Sequence, residues 1–342
     1  MDKLSILVDP QPRTLDMIFD AEGRSRLSAL AAQLTVYDSG PMPVEMLERA
    51  LPDADILIGQ TDLPRARLQG ASKLRAIFNV EGNFLPNVDY AYCFSHGIRV
   101  LVASPAFATA VAEMALAMGL DLARGVSRND RAFRQRTEEY GLVSNRDSFL
   151  FTGCRVGLIG FGDLARAFRP LVRPFRCPVK AFDPWLPARE ILQNDCTPAG
   201  LDEVLSTSDA VFVFASVTSE NQGFLGEREL ALIRPGGLFV LMSRAGVVDF
   251  DALTRAALSG HLKVATDVFP EEPFVKDHPI RDLPNVLLSA HRSGGMQEAF
   301  FEIGRMVLAD LELLARGLPP LTCRVAQPET VSRLRSKAVA VS

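Results

Sequence analysis

At 342 residues the chain exceeds a usual single core and fits two domains of ordinary size, roughly 100–200 residues each. Hydrophobic residues make up 48% of it and charged residues 23%, which excludes a chain disordered over most of its length. The net charge of −4, with no block of like charges, provides no footprint for a nucleic acid and leaves a small molecule as the expected partner.

The chain opens on Met1-Asp2-Lys3-Leu4 and runs straight into an apolar stretch without a basic n-region or cleavage site, so export is not expected. Apolar, β-branched runs then alternate with helical patterns, the signature of βαβ units and parallel sheets. A first series of strands is predicted at Leu4 to Val8, Leu34 to Tyr37, Asp55 to Ile58, Leu74 to Asn79 and Ile98 to Val102. The apolar helical stretch from Ala106 to Ala123 follows, and its Glu113, Asp121 and many small residues predict a buried helix, not a membrane span.

A second series runs through Arg155 to Gly160, Val179 to Phe182, Ala210 to Phe214, Leu238 to Met242, Lys263 to Thr266 and Val286 to Leu288. Helices fit between these six at Asp163 to Phe175, Pro187 to Gln193, Leu201 to Thr207, Glu227 to Ile233 and Asp249 to Ser259. Pro170 falls inside the first of them and is expected to kink it. A long amphipathic helix at Met296 to Arg316 stops at Gly317 and Pro319 and is expected to return to the first domain. The tail after Val325 is polar and expected to fray. The five cysteines, Cys93, Cys154, Cys177, Cys196 and Cys323, are odd in number and form no CxxC pair, which predicts reduced thiols in a cytoplasm. No HExxH or Cys/His cluster has zinc spacing, so no metal is expected.

The sharpest motif is Val156-Gly157-Leu158-Ile159-Gly160-Phe161-Gly162-Asp163-Leu164-Ala165, an apolar strand entering GxGxxA and then a helix. Gly160 allows the tight turn, Gly162 lets backbone approach a pyrophosphate, and Ala165 permits close helix packing. The phosphates would sit at the helix N-terminus, where N–H groups lack intrahelical acceptors. Asp183 ends the next strand 21 residues after Gly162, near the spacing of the acid that holds the ribose hydroxyls, and its charge favours NAD over NADP, an effect that Arg189 nearby could soften. Asp163 places a negative charge beside the phosphates, an unfavourable feature.

Three later segments end strands of the same series, where ligands bind in open α/β sheets. They carry Ser243-Arg244, Asp267 with Glu271 and Glu272, and His291. A histidine paired with a carboxylate has its imidazolium stabilised and can serve as general acid and base, while an arginine fork grips a carboxylate without losing its proton. Of the four histidines, His96, His261, His278 and His291, only His291 follows a predicted buried strand into a turn of small residues.

Together these motifs resemble the D-isomer-specific 2-hydroxyacid dehydrogenases, a likeness that covers nearly the whole chain. It implies that Arg244 binds the substrate carboxylate and that Glu272, before a proline, supports His291; these three are the expected catalytic residues. Asn79-Val80-Glu81-Gly82 looks like the family's strand and glycine loop, so the amides of Val80, Glu81 and Gly82 are expected to bind the substrate carboxylate beside Arg244 and His291. Cofactor contacts are expected at Gly160, Phe161, Gly162, Asp163, Leu164, Asp183, Ala215, Ser243, Asp267 and His291. Val111-Ala112-Glu113 resembles the interdomain region, and Ser208-Asp209-Ala210 and Thr218-Ser219-Glu220-Asn221 with Gly223 the nicotinamide border.

Where most members have His and Pro after the fourth strand this chain has Phe214 and Ser216, and Ala108 stands where an Asn usually precedes the hinge helix. The loop after Gly82 is longer and more apolar than usual, which assigns Phe84 or Leu85 to a side-chain pocket.

The expected fold is α/β with two doubly wound parallel-sheet domains, a Rossmann cofactor domain (residues 106–296) inserted into a flavodoxin-like substrate domain (1–105 and 297–342). The implied activity is NAD-dependent interconversion of a small D-2-hydroxy acid and its 2-keto acid by a cytoplasmic homodimer, with neither membrane nor nucleic acid as partner. The alternatives are a non-catalytic NAD-sensing corepressor on the same fold and formate dehydrogenase, in which glutamine usually replaces the residue matched to Glu272. A hydrolase is remote, since no GxSxG elbow is present.

Overall fold

The structure is a computed structural model and describes residues 2–333. It divides into two compact units, one holding the residues up to Phe107 and those from Gly295 onwards, the other Ala108–Gly294. Thirteen strands occur among the described residues: β1 Leu4–Asp9, β2 Ala31–Val36, β3 Ile56–Gly59, β4 Ala76–Asn79, β5 Arg99–Val102, β6 Val156–Ile159, β7 Val179–Phe182, β8 Thr197–Pro198, β9 Ala210–Val213, β10 Gly237–Leu241, β11 Leu262–Thr266, β12 Val286–Leu288 and β13 Arg324–Val325.

In the first unit the sheet order is β13-β5-β4-β3-β1-β2, parallel except for β13. Without β13 this is the flavodoxin-like order 2-1-3-4-5. Strand alternation explains why both faces are covered. Ile6, Val8, Ile56, Ile58, Ala76 and Phe78 face one core cluster, while Leu7, Leu57, Ile77 and Val100 face the other. The helix Gln297–Leu314 closes the first of these cores with Ile303, Val307 and Leu311. A Cβ on its Gly304 would lie 2.2 Å from the Ile18 carbonyl oxygen, so only glycine permits that approach. Asp310 of the same helix is fully buried and accepts from the amides of Leu321, Thr322 and Cys323 at 2.7–2.9 Å, which steers the chain into β13.

In the second unit the order is β12-β11-β10-β9-β6-β7-β8, all parallel. Numbered within the unit this is 3-2-1-4-5-6 with one further strand at the far edge, the doubly wound Rossmann order. The helix Ala108–Arg124 packs on β10, β11 and the helix Asp163–Val172. A Cβ at its Gly119 would fall 2.7 Å from the Phe212 ring, so the helix lies directly on the sheet. The segment Ser104–Arg124 is long and apolar enough to cross a membrane by length and composition, but Ala112, Ala115 and Ala123 are fully buried in the protein.

Several local expectations are corrected. The second sheet has seven strands, not six, because Thr197–Pro198 adds a two-residue edge through Lys180 and Ala181, too short for any periodic signal. β2 begins at Ala31, directly on the end of the helix Ala21–Leu30. The helix carrying Pro170 ends as an α-helix at Val172 and continues as a 3-10 turn, Arg173–Phe175. The tail is ordered past Val325: Ala326 is buried, its amide bonds the Val100 carbonyl at 2.8 Å, and Pro328–Val331 is helical. Residues 334–342 of that expected frayed tail lie outside the described residues.

Candidate active site

The site residues of the second unit stand at the carboxyl ends of neighbouring parallel strands. Gly160 follows β6, Asp183 follows β7, Ala215 follows β9, Ser243 and Arg244 follow β10, Asp267 follows β11 and His291 follows β12. The two turn glycines do different things. Gly160 has φ +85°, and a Cβ there would sit 2.6 Å from the backbone N and Cα of Ala215, so turn and packing both demand glycine. Gly162 is the N-cap of the helix Asp163–Val172 in extended backbone, and a Cβ on it would point into open space. Its bareness is therefore not required by the fold and fits a ligand that approaches the helix N-terminus closely.

Asp183 is bound back to this loop, Oδ2 accepting from the Phe161 amide at 2.8 Å and Oδ1 from the Trp185 amide at 3.0 Å. The Phe161 amide is thus engaged by the acid and its ring is fully buried, while Ala165 sits fully buried under the helix. Ser243 is buried and its Oγ has no hydrogen-bond partner, an unmet polar group at the end of β10. An unfilled Gly162 face, an unmet Ser243 hydroxyl and an acid at the end of β7 suit a dinucleotide. Phe214 packs in the core against Phe168 with ring centroids 5.4 Å apart, whereas Ser216 is exposed.

His291 is held in left-handed backbone, φ +47°, a conformation that costs a non-glycine residue about 1–3 kcal/mol. The supports are visible. Its amide bonds the Asp267 carbonyl at 2.7 Å, and the next two amides, of Arg292 and Ser293, donate to the two carboxylate oxygens of Asp267 at 3.0 and 2.9 Å. Asp267 is fully buried, so its charge is spent fixing the turn that presents the histidine. The His291 Nδ1 lies 2.6 Å from Glu272 Oε2, and Glu272 Oε1 accepts from the Phe269 amide at 2.9 Å. An ionised carboxylate only accepts, which assigns the proton of this bond to Nδ1 and leaves Nε2 outside the pair. Glu271 is exposed and makes no part of this pair. Arg244 has extended backbone, and its Nη1 donates to the Ser243 carbonyl at 2.7 Å.

In the first unit, Val80 and Glu81 are buried at the end of β4. Leu85 is buried and its carbonyl accepts from the Tyr90 hydroxyl at 2.5 Å, while Phe84 meets the Tyr90 ring edge-on at 6.4 Å. Leu85 is thus a buried residue, and the half-buried Phe84 packs against the second core cluster of the unit. Among the described residues no group of three or more His, Cys, Asp and Glu side chains is gathered in metal-binding geometry. The role of Asp267 as a brace, and the strained backbone of His291, carried no sequence signal beyond the place of each after a strand.

A parallel sheet in this order, with a glycine turn at β6 and an acid after β7, defines the second unit as a dinucleotide-binding domain. Residues 116–293 match the family model "D-isomer specific 2-hydroxyacid dehydrogenase, NAD binding domain", and the chain belongs to that family. It is 42% identical to a phosphoglycerate oxidoreductase from Rhizobium etli, with a TM-score of 0.84 over 94% of this chain and 98% of that one. It is also 30% identical over 305 residues to the D-3-phosphoglycerate dehydrogenase of Mycobacterium tuberculosis, covering 88% of this chain and 57% of that protein. The chain thus spans little more than half the length of the curated relatives it matches first. The D-3-phosphoglycerate dehydrogenase of Escherichia coli is 30% identical over 285 residues, 80% of this chain and 67% of that protein.

Proposed function

We propose that the protein is an NAD-dependent dehydrogenase that interconverts a small D-2-hydroxy acid and its 2-keto acid. The observation that carries this reading is the His291–Glu272 pair at 2.6 Å, mounted on the sheet that carries the nucleotide-type glycine turn. Arg244, Glu272 and His291 are the proposed catalytic residues. NADH, when bound, supplies the hydride that adds to the carbonyl carbon. His291 Nε2 gives its proton to the carbonyl oxygen and in the reverse direction takes it from the hydroxyl, while Glu272 keeps the ring oriented and its charge balanced. Arg244 and the amides of Val80, Glu81 and Gly82 are proposed to hold the substrate carboxylate, the arginine through a two-point fork.

Gly160, Phe161, Gly162, Asp163, Leu164, Asp183, Ala215, Ser243, Asp267 and His291 are proposed to line the cofactor. For Phe161 the buried ring and the amide bound to Asp183 favour an indirect part, through the placement of that acid. Asp267 acts by the same logic on the His291 turn.

The test is oxidation of NADH and NADPH against glyoxylate, hydroxypyruvate, pyruvate, 3-phosphohydroxypyruvate and bulkier 2-keto acids, with D- and L-hydroxy acids in reverse. No turnover with any of them, alongside tight NADH binding, would favour the corepressor reading. Formate-dependent NAD reduction would favour formate dehydrogenase, against which Glu272 argues.

A homodimer is also proposed, supported by the exposed apolar side chains Val126, Phe133, Tyr140, Leu142 and Leu150 within one stretch of the second unit. Light scattering at working concentration checks it; a monomer mass refutes it. All five cysteines are free and buried, which supports a reducing cytoplasm as the compartment.

A further inference from the structure

The proposed substrate loop contains a chemical contradiction. Glu81 sits in the middle of Val80–Gly82, so a carboxylate side chain belongs to the segment whose amides are to receive a carboxylate substrate. Left ionised and alone it would repel that substrate. Its side chain is only 12% exposed, so water screens it poorly.

The structure supplies a compensating cation from a distant part of the chain. Arg13, in the turn after β1, forms an ion pair through Nη1 with Glu81 Oε1, and its own side chain is 10% exposed. Its guanidinium carbon lies 4.9 Å from the ring centre of Phe300 and 5.6 Å from that of Phe107, a two-ring clamp that fixes the planar group. Phe107 also stands 3.3 Å from where a Cβ on Gly82 would be, so one ring touches both the arginine and the loop it serves. Arg13 Nε is buried with no hydrogen-bond partner. Turns and termini after β1, β4 and β5, with the helix Gln297–Leu314, converge to build this cluster, and all of it lies within the first unit. Stability alone gives little reason to keep a buried ion pair, because apolar residues of similar volume commonly do as well or better.

We propose that Arg13 is a positioning residue for the reaction: by neutralising Glu81 it makes the loop able to accept an anionic substrate. The proposal rests on the reading of Val80–Gly82 as the carboxylate-binding loop.

The experiment is a charge cycle on the full chain, with steady-state kinetics for the best 2-keto acid and NADH titration by fluorescence. R13Q leaves Glu81 uncompensated and raises KM for the keto acid about 10–100-fold, with NADH affinity unchanged. E81Q leaves the cation uncompensated and lowers KM about 3–10-fold, the opposite sign, despite losing the same ion pair. R13Q/E81Q returns KM to within about 3-fold of the parent, because no net charge is left in the loop.

A pair that is merely structural predicts something else: both single variants impair KM and kcat alike, and the double variant is no better than R13Q. That result overturns the proposal and leaves the loop reading standing. If all three variants keep the parental KM while Arg244→Met raises it, the loop reading itself has failed. Should R13Q not fold, the sign of the E81Q effect decides, since an unchanged or raised KM overturns the proposal.

Discussion

Each unit is a doubly wound sheet, all parallel but for β13 in the first, and each gathers polar groups where its strands end, yet the two are built by different means. In the second unit every proposed site residue lies within a few positions of the strand that presents it, and the support is equally local: Asp267 at the end of β11 braces the His291 turn at the end of β12. In the first unit the corresponding cluster joins Arg13, Glu81, Phe107 and Phe300, separated by most of the chain. A site carried on adjacent strands can be altered one residue at a time, whereas one assembled from both chain ends is tied to the stability of the whole unit. The second unit also holds strain at its site, in the left-handed His291, and over-determines it with three backbone amides.

The most damaging way to probe this contrast is His291→Ala. Turnover should fall about 10²–10⁴-fold, the usual range for a general acid–base, while NADH affinity stays within about 3-fold. Equal losses in both would mean that the turn, and not the proton transfer, had been broken. Next come the two glycines. Gly160→Ala should destabilise the second unit by about 2–4 kcal/mol, since the methyl group meets the Ala215 backbone at 2.6 Å in left-handed backbone, and NADH binding should be lost with it. Gly162→Ala should melt within about 1 kcal/mol of the parent but bind NADH at least about 10-fold more weakly, because its methyl group points into open space. Identical behaviour of the two variants in melting and fluorescence titration would remove the distinction between a fold glycine and a ligand glycine. In the first unit, Gly304→Ala should cost about 1–3 kcal/mol by forcing the helix off the Ile18 carbonyl, yet leave NADH affinity intact.

The same contrast explains what could be read beforehand. Strands such as β6 and β9 are continuous apolar runs bounded by turn residues, so their place was legible, as was the position of Gly160, Asp183 and His291 after strand ends, while Glu272 was singled out from Glu271 only by resemblance. β8 and β13 are two residues long and exist only because a neighbouring edge is available to pair with, which no local pattern encodes. Leu85 is an apolar residue in a loop, and its burial depends on tertiary neighbours that no local pattern encodes. Arg13 stood in an ordinary polar turn. Its partner is 68 positions away and its clamp reaches to Phe300, a coincidence of tertiary structure with no sequence period.

The smallest effect we expect lies at the amino ends of the strands of the second sheet, where charge is structural and not catalytic. Ser208 and Asp209 stand just before β9, which corrects their expected place on the nicotinamide border after that strand, and Asp209 accepts from the backbone amide and the guanidinium of Arg155, beside the start of β6, and from Arg234. These bonds, with that of the Arg155 side chain foremost, hold its carboxyl down to about 2 against the opposing effect of burial. A carboxyl whose folded pKa is depressed adds stability that is fully present above its unfolded value, near 4, and is lost as pH falls toward the folded value. Asp209→Asn should therefore lower stability by only about 1–2 kcal/mol at neutral pH, a modest amount because both arginines are partly exposed to screening solvent. The deficit should stay constant from pH 7 to about pH 5 and then shrink as pH drops toward 2, as the parent loses what the variant already lacks. Urea melts across that range measure it, with KM and kcat at neutral pH unchanged. A deficit that grows on acidification would reverse the sign and show that Asp209 is not held ionised by its arginines; a loss of turnover would mean that the amino and carboxyl ends of these strands are not separate structural and catalytic margins.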